Sequence, residues 1–293
     1  MLKEKRLKLM EKIVDNMNVG DIWLNCTDMD EIEIDYQRRR ARGTRRTTYL
    51  GKYRDRDVAV KIIEPHNSHS IHCLQNHIND TLKYDECFHF VHLAALKEIV
   101  LLQQLRHPGI MKLLGYCVRD TNPPEKKTPP VKYGIIAVYE YAEKYNISKL
   151  NMRQRLDFAV QLADLLDYME HSPLGSSWIK DFRTDNFMVA DGLLKISDID
   201  VLSGFEARCT TKCHYGVKCQ EGRCVGMNAR RQMNYACMAF FKHLLTDEEN
   251  AYGLKNILSN LTRKCYTAKI SAADMRESIK DIILKFQDIN QTD

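Results

Sequence analysis

The sequence predicts an α+β fold in which strands gather in the first half of the chain and helices dominate the second. Three observations carry this. Residues 31–36 alternate, with Ile32, Ile34 and Tyr36 on one face and Glu31, Glu33 and Asp35 on the other, the period of a half-buried strand. Two more β-rich runs, Val58-Ala59-Val60-Lys61 and GIIAVYEYA over residues 134–142, lie in the same half. Downstream, Leu156, Ala159, Val160, Ala163, Leu166 and Met169 recur at helical spacing, with Asn151 as cap and Pro173 as stop. At 293 residues and 44% apolar content the chain can bury one large core or two lobes.

Taken in order, residues 1–18 read as a short basic helix, a surface appendage with few apolar positions. The strand at 31–36 follows, then the run ending at Lys61. A helix over 87–105 has Val91, Ala94, Ala95, Leu102 and Leu105 in its apolar stripe, and helical spacing places Glu98 inside that stripe. Arg106-His107-Pro108 ends it. IMKLLGYCV reads as a strand, residues 120–130 as a proline-rich surface loop, and GIIAVYEYA as another strand. After the 151–172 helix comes IKDFRTDNFMVADGLLKISDID over residues 179–200, where Asp191-Gly192 between two apolar runs signals a hairpin. That hairpin would return Asp198 to the loop holding Asp181 and Asn186, and grouped oxygen donors of this kind suit Mg²⁺. A cysteine-rich segment, a helix over 227–245 and one or two closing helices up to Phe286 complete the chain.

Charge and cysteine content bound the setting. The net charge of +5 is modest, and basic residues are dispersed except for six arginines between Arg38 and Arg46. That run reads as a solvated loop, a phosphate-facing or nucleic-acid patch, or a dibasic processing site; no nucleic-acid partner is expected. Ten cysteines, with Cys209, Cys213, Cys219 and Cys224 crowded together, point to a disulfide framework ahead of zinc. A Cys73–Cys87 disulfide would close the stretch between Lys61 and the helix, with a zinc site from His66, His69, His72 and His77 as the weaker alternative. Sequons at Asn25, Asn79, Asn146, Asn260 and Asn290 agree with an oxidising, secretory setting. The N-terminus has no apolar core of a secretory signal and no run is long enough for a membrane span. The expectation is therefore a secretory-lumen (Golgi) or secreted protein whose signal is missing from this chain, or else a cytoplasmic one with reduced thiols.

Asp181-x-x-x-x-Asn186, a hairpin and then Asp198 resembles the catalytic loop and metal-binding motif of protein kinases. The fuller text HSPLGSSWIKDFRTDNFMVADGLLKISDID, with CVGMNARRQMNYACMAFFKHLL, is similar to the secreted tyrosine kinase family typified by vertebrate lonesome kinase. The resemblance implies a bilobal protein kinase-like fold. Its bounds would be an appendage over 1–25, a β-rich N-lobe over about 26–142 and a mainly helical C-lobe over about 143–293, with the cysteine-rich segment at 209–224.

It also implies roles. Asp181 would orient the substrate hydroxyl and accept its proton; Asn186 and Asp198 would hold Mg²⁺ or Mn²⁺; Lys61, paired with Glu98, would position the phosphates of ATP. Gly43, with Gly51, would be what remains of a glycine-rich phosphate-covering loop, a poor match to the usual signature. Partners would be luminal or extracellular proteins phosphorylated on hydroxyls, with tyrosine implied by the family alone. The chain departs from common kinases at Ile179-Lys180 and Ile199-Asp200, where His-Arg and Phe-Gly are usual, and it has no Ala-Pro-Glu element; the secreted family is similar at these positions. Asp200 reads as a turn aspartate or a further carboxylate beside the metal. The rival reading is a pseudokinase scaffold, and a sugar or small-molecule kinase is a third.

Overall fold

The computed structural model describes residues 23–64, 67–76, 81–119, 130–209, 213–247, 253–267 and 269–291. The helix expected over 1–18, His66, His77, Asn79 and nearly all of the 120–130 loop lie outside them. The chain divides into two compact units, residues 1–106 with 111–142 and residues 107–110 with 143–293.

The first unit opens on α1 (Cys26–Asp30), where Asn25 and Asp28 form a reciprocal cap: Asn25 Oδ1 accepts the N–H groups of Thr27 and Asp28, and Asp28 Oδ2 accepts that of Asn25. There follow β1 (Glu33–Arg42), β2 (Thr47–Tyr53), β3 (Arg56–Ile62), α2 (Ser68–Gln75), α3 (Thr81–Gln104), β4 (Leu113–Val118) and β5 (Ile135–Glu140). The strands make one antiparallel sheet in the order β1-β2-β3-β5-β4. Tyr49, Val58, Val60, Ile62, Ile136 and Val138 form its buried face, joined by Leu24 and Met29. Leu24, 2% exposed and bonded to Leu114 O, is part of this core. Gly51 serves this packing, since a β-carbon there would lie 2.7 Å from Val60 Cγ2. Cys26–Cys117 ties α1 to β4 and Cys73–Cys87 ties α2 to α3.

Two expectations change here. Tyr36 is not buried with Ile32 but is 40% exposed, its ring edge-on to Tyr49. The cause is local: Asp35 Oδ1 accepts the N–H groups of Gln37 and Arg38, and the β1–β2 register breaks between Asp35 and Arg39, so the alternation is lost. The arginine run is not one solvated loop either. It extends β1 to Arg42 and ends at Arg46, which is buried.

The second unit contains β6 (Glu143–Lys144), α4 (Met152–Glu170), β7 (Trp178–Ile179), β8 (Phe187–Ala190), β9 (Leu193–Ile196), β10 (Leu202–Ser203), β11 (Cys219–Gln220), β12 (Arg223–Cys224), α5 (Met227–Ala236), α6 (Lys242–Leu244), α7 (Lys255–Tyr266) and α8 (Ala272–Gln291), with a π-helical turn at Cys237–Phe241 between α5 and α6. Helix α4 is the buried axis. Asn151 and Gln154 cap it reciprocally, and the expected stripe is buried except for Val160, which is half-buried. Arg276 of α8 holds α4 through Asp164 at 2.6 Å and Asp167 at 2.9 Å. Phe182, Phe187 and Phe240 meet edge-to-face beside Tyr145 and Phe158. Cys237–Cys265 joins the π-helical turn to α7. Cys209–Cys219 and Cys213–Cys224 consume all four sulfurs of the cysteine-rich segment, so disulfides rather than zinc account for it. Among the described residues no helix is long and apolar enough to cross a membrane.

Candidate active site

In the first unit the site is built on β3 and α3. Antiparallel register sets Lys61 opposite Thr48 on β2 and Ala137 on β5, which puts Lys61 and Tyr139 on one face of the sheet. Helix α3 turns Val91, Ala95, Ile99 and Leu105 inward, and Glu98 lies on that inward stripe with 0% exposure. A carboxylate so placed must be compensated. Lys61 Nζ lies 2.9 Å from Glu98 Oε1, Tyr139 Oη donates to the same oxygen at 2.6 Å, and the Arg46 guanidinium donates to Oε2. The Lys61 ammonium is also 4.7 Å from the centroid of the Tyr139 ring. Burial pushes the Glu98 carboxyl up, but the charges of Arg46 and Lys61 and the hydrogen bonds of Arg46 and Tyr139 outweigh it and hold the group down at about 2. Glu98 is thus an anion in a dry setting.

The sequence does not announce Arg46 and Tyr139 as partners of Glu98. Tyr139 was visible only as a strand residue, and Arg46 was hidden in a basic run; nothing local in sequence signals a partner 52 residues away. Gly43 closes the tip between β1 and β2. Its N–H donates to Arg46 O at 2.9 Å, and a β-carbon would sit 2.9 Å from that oxygen. The glycine is required by the tight hairpin end, and its amide is engaged there.

In the second unit two short ladders organise the remaining residues. β8 and β9 pair from Phe187↔Ile196 to Ala190↔Leu193, and Asp191 (φ 51°) with Gly192 (φ 73°) makes the two-residue turn the sequence signals. At the open end of that hairpin Asn186 O accepts both the N–H (2.8 Å) and the hydroxyl (3.0 Å) of Ser197, fixing the residue before Asp198 against Asn186. β7 and β10 pair Ile179 with Leu202, so the chain leaves this ladder two residues before Asp181 and returns to it two residues after Asp200. The same end is pinned from His107-Pro108-Gly109: Gly109 O accepts the Ile196 N–H at 2.8 Å, and His107 accepts the Gly109 N–H at Nδ1 while its Nε2 lies 3.0 Å from Asp164. That tautomer is neutral, and burial lowers the His107 pKa despite the raising effect of Asp164.

Asn186 Nδ2 donates to Asp181 O at 2.8 Å, with Asp181 Oδ2 3.4 Å away. Arg183 grips both Asp181 oxygens, at 2.6 and 2.8 Å, in an exposed pair. Spending its amide nitrogen on Asp181 orients Asn186 so that its carbonyl oxygen is the end left to serve as a ligand. The Asp200 N–H lies 3.5 Å from Asp198 Oδ1, so Asp198 begins the turn in which the buried Asp200 sits. Asparagine and carboxylate oxygens form a hard donor set, which fits Mg²⁺ or Mn²⁺ and does not suit a soft metal.

Residues 81–220 match the family described as protein tyrosine and serine/threonine kinase. Extracellular tyrosine-protein kinase PKDCC of Homo sapiens is 33% identical over 169 residues, covering 54% of this chain and 34% of that protein. Wall-associated receptor kinase-like 3 of Arabidopsis thaliana is 31% identical over 114 residues, covering 35% of this chain and 14% of that one. The chain therefore spans about a third or less of these relatives.

Proposed function

We propose, from the premise that this chain carries a protein kinase domain related to the extracellular tyrosine kinases, that it transfers the γ-phosphate of ATP to protein hydroxyls, tyrosine first among them, in the secretory pathway or outside the cell. The observation that supports the reading most directly is the buried Lys61–Glu98 pair at 2.9 Å. A lysine held by a buried anion is fixed in direction, which is what contact with phosphate oxygens demands.

In this reading Lys61, positioned by Glu98, binds the α- and β-phosphates. Asn186 and Asp198 hold the divalent cation, and Gly43 allows the β1–β2 tip its tight close. Asp181 orients the acceptor hydroxyl and takes its proton, with Arg183 setting the direction of the carboxylate. When bound, ATP supplies the phosphoryl group and the cation neutralises its charge. The five disulfides support an oxidising compartment, as does the extracellular character of the human relative named above.

The test is phosphotransfer with ATP and Mn²⁺ to a mixed panel of luminal proteins, followed by phosphoamino-acid analysis. Transfer to tyrosine that falls at least ~100-fold in Asp198→Ala supports the reading. Nucleotide-dependent thermal stabilisation with no transfer would favour a binding scaffold, and transfer unchanged in Asp198→Ala would sink the assignment of the metal ligands.

A further inference from the structure

The β1–β2 tip, residues 43–46, would cover the nucleotide phosphates in the proposed function, yet its sequence is glycine-poor. Kinase loops rich in glycine mould their backbone onto phosphates. Here Gly51 is committed to the sheet core and the Gly43 amide to Arg46 O. Something other than glycine freedom must set where this tip lies.

Every residue of the tip is fastened. Thr44 O accepts the His69 N–H at 2.8 Å from the first turn of α2. The Arg45 guanidinium lies 5.9 Å from the centroid of Phe90 on α3, and the other partner of that ring is His69, stacked at 5.0 Å and 18°. Arg46, only 7% exposed at its side chain, reaches Glu98 Oε2. Helices α2 and α3, the two anchors, are themselves joined by Cys73–Cys87. The fastening ends on the same carboxylate that holds Lys61.

We infer that Arg46 is a positioning residue: it latches the β1–β2 tip to the Lys61–Glu98 pair, so that side chains rather than a flexible glycine backbone fix the tip for nucleotide binding. The inference rests on the proposed kinase function. It assigns Arg46 no contact with the reacting atoms. A tip fixed in advance loses less conformational freedom when ligand binds, and a released one binds more weakly.

The experiment measures initial rates against ATP and against protein substrate for wild type, Arg46→Gln, Arg46→Lys and Phe90→Ala, with Mn²⁺-ATP thermal shifts on each. Phe90 is 49% exposed, so its truncation removes one fastening without emptying a core. Expected is a rise in KM for ATP of about tenfold in Arg46→Gln, partly restored in Arg46→Lys and about threefold in Phe90→Ala, with KM for the protein substrate unchanged. If Arg46→Gln does not fold, Arg46→Lys carries the test, with its KM for ATP expected above that of wild type. A merely structural arginine would lower Tm while leaving KM for ATP as in wild type, and that result overturns the inference with the kinase reading intact. Wild-type protein that neither binds Mn²⁺-ATP nor transfers phosphate overturns both.

Discussion

Replacing Glu98 by Gln keeps the shape of the side chain and removes its charge, leaving Arg46 and Lys61 facing a neutral amide in a fully buried place. The folded carboxyl sits at about 2 against an ordinary value of 4.5. Because the folded value is the lower one, the stabilisation is complete above 4.5 and is lost as pH falls through 4.5 towards 2. At about 1.4 kcal/mol per factor of ten, the gap is worth about 3 kcal/mol at pH 7 and about half that at pH 3. Wild type and Glu98→Gln should therefore differ by about 3 kcal/mol in unfolding free energy at pH 7, and the difference should shrink as pH is lowered. Asp28, Asp30, Asp164 and Glu277 also have lowered values, but they are common to both proteins and cancel in the difference. Denaturant unfolding with disulfides intact, followed from pH 7 to pH 3, reads this directly. A difference between the two proteins that stays flat across that range would refute the claim that Glu98 is a charged, doubly cation-paired carboxylate.

Two further outcomes concern the frame. Asn151→Ala removes the reciprocal cap of α4 and should cost about 1 kcal/mol in the same unfolding assay without changing nucleotide affinity. Alkylation of the denatured protein should label none of the ten cysteines before reduction and all ten after it, as counted by intact mass; free thiols before reduction would overturn the pairing described here.

What the sequence made legible was local or rested on one strong pattern. Asp191-Gly192 announced its turn because few residues other than glycine adopt a positive φ cheaply, and Asn151 announced α4 because a side-chain oxygen is needed at a helix start. Glu98 could be paired with Lys61 because a carboxylate inside an apolar stripe demands a cation. Arg46 could not be found the same way: it lies beside five other arginines, and only the register of β1 on β2 and the docking of α3 single it out. Tyr36 failed for a related reason, since Asp35 diverts the next two amides and breaks an alternation that the residue types alone would continue. The Cys26–Cys117 and Cys237–Cys265 pairs join distant cysteines, 91 and 28 residues apart, and spacing carries no trace of them.

The cysteine-rich segment has a closed base. Glu206 gives one carboxylate oxygen to the Gly226 N–H and the other to the Asn228 N–H at the start of α5, while Cys224 N–H bonds Ala207 O and Cys209 N–H bonds Gly222 O. With Cys209–Cys219 and Cys213–Cys224 inside, the chain departs and returns at neighbouring points and is crosslinked to itself between them. Such a segment behaves as a cassette. Its length and surface can drift in evolution, or be exchanged by design, while α5 stays anchored, because loop length adds entropy only slowly and the ends are already fastened.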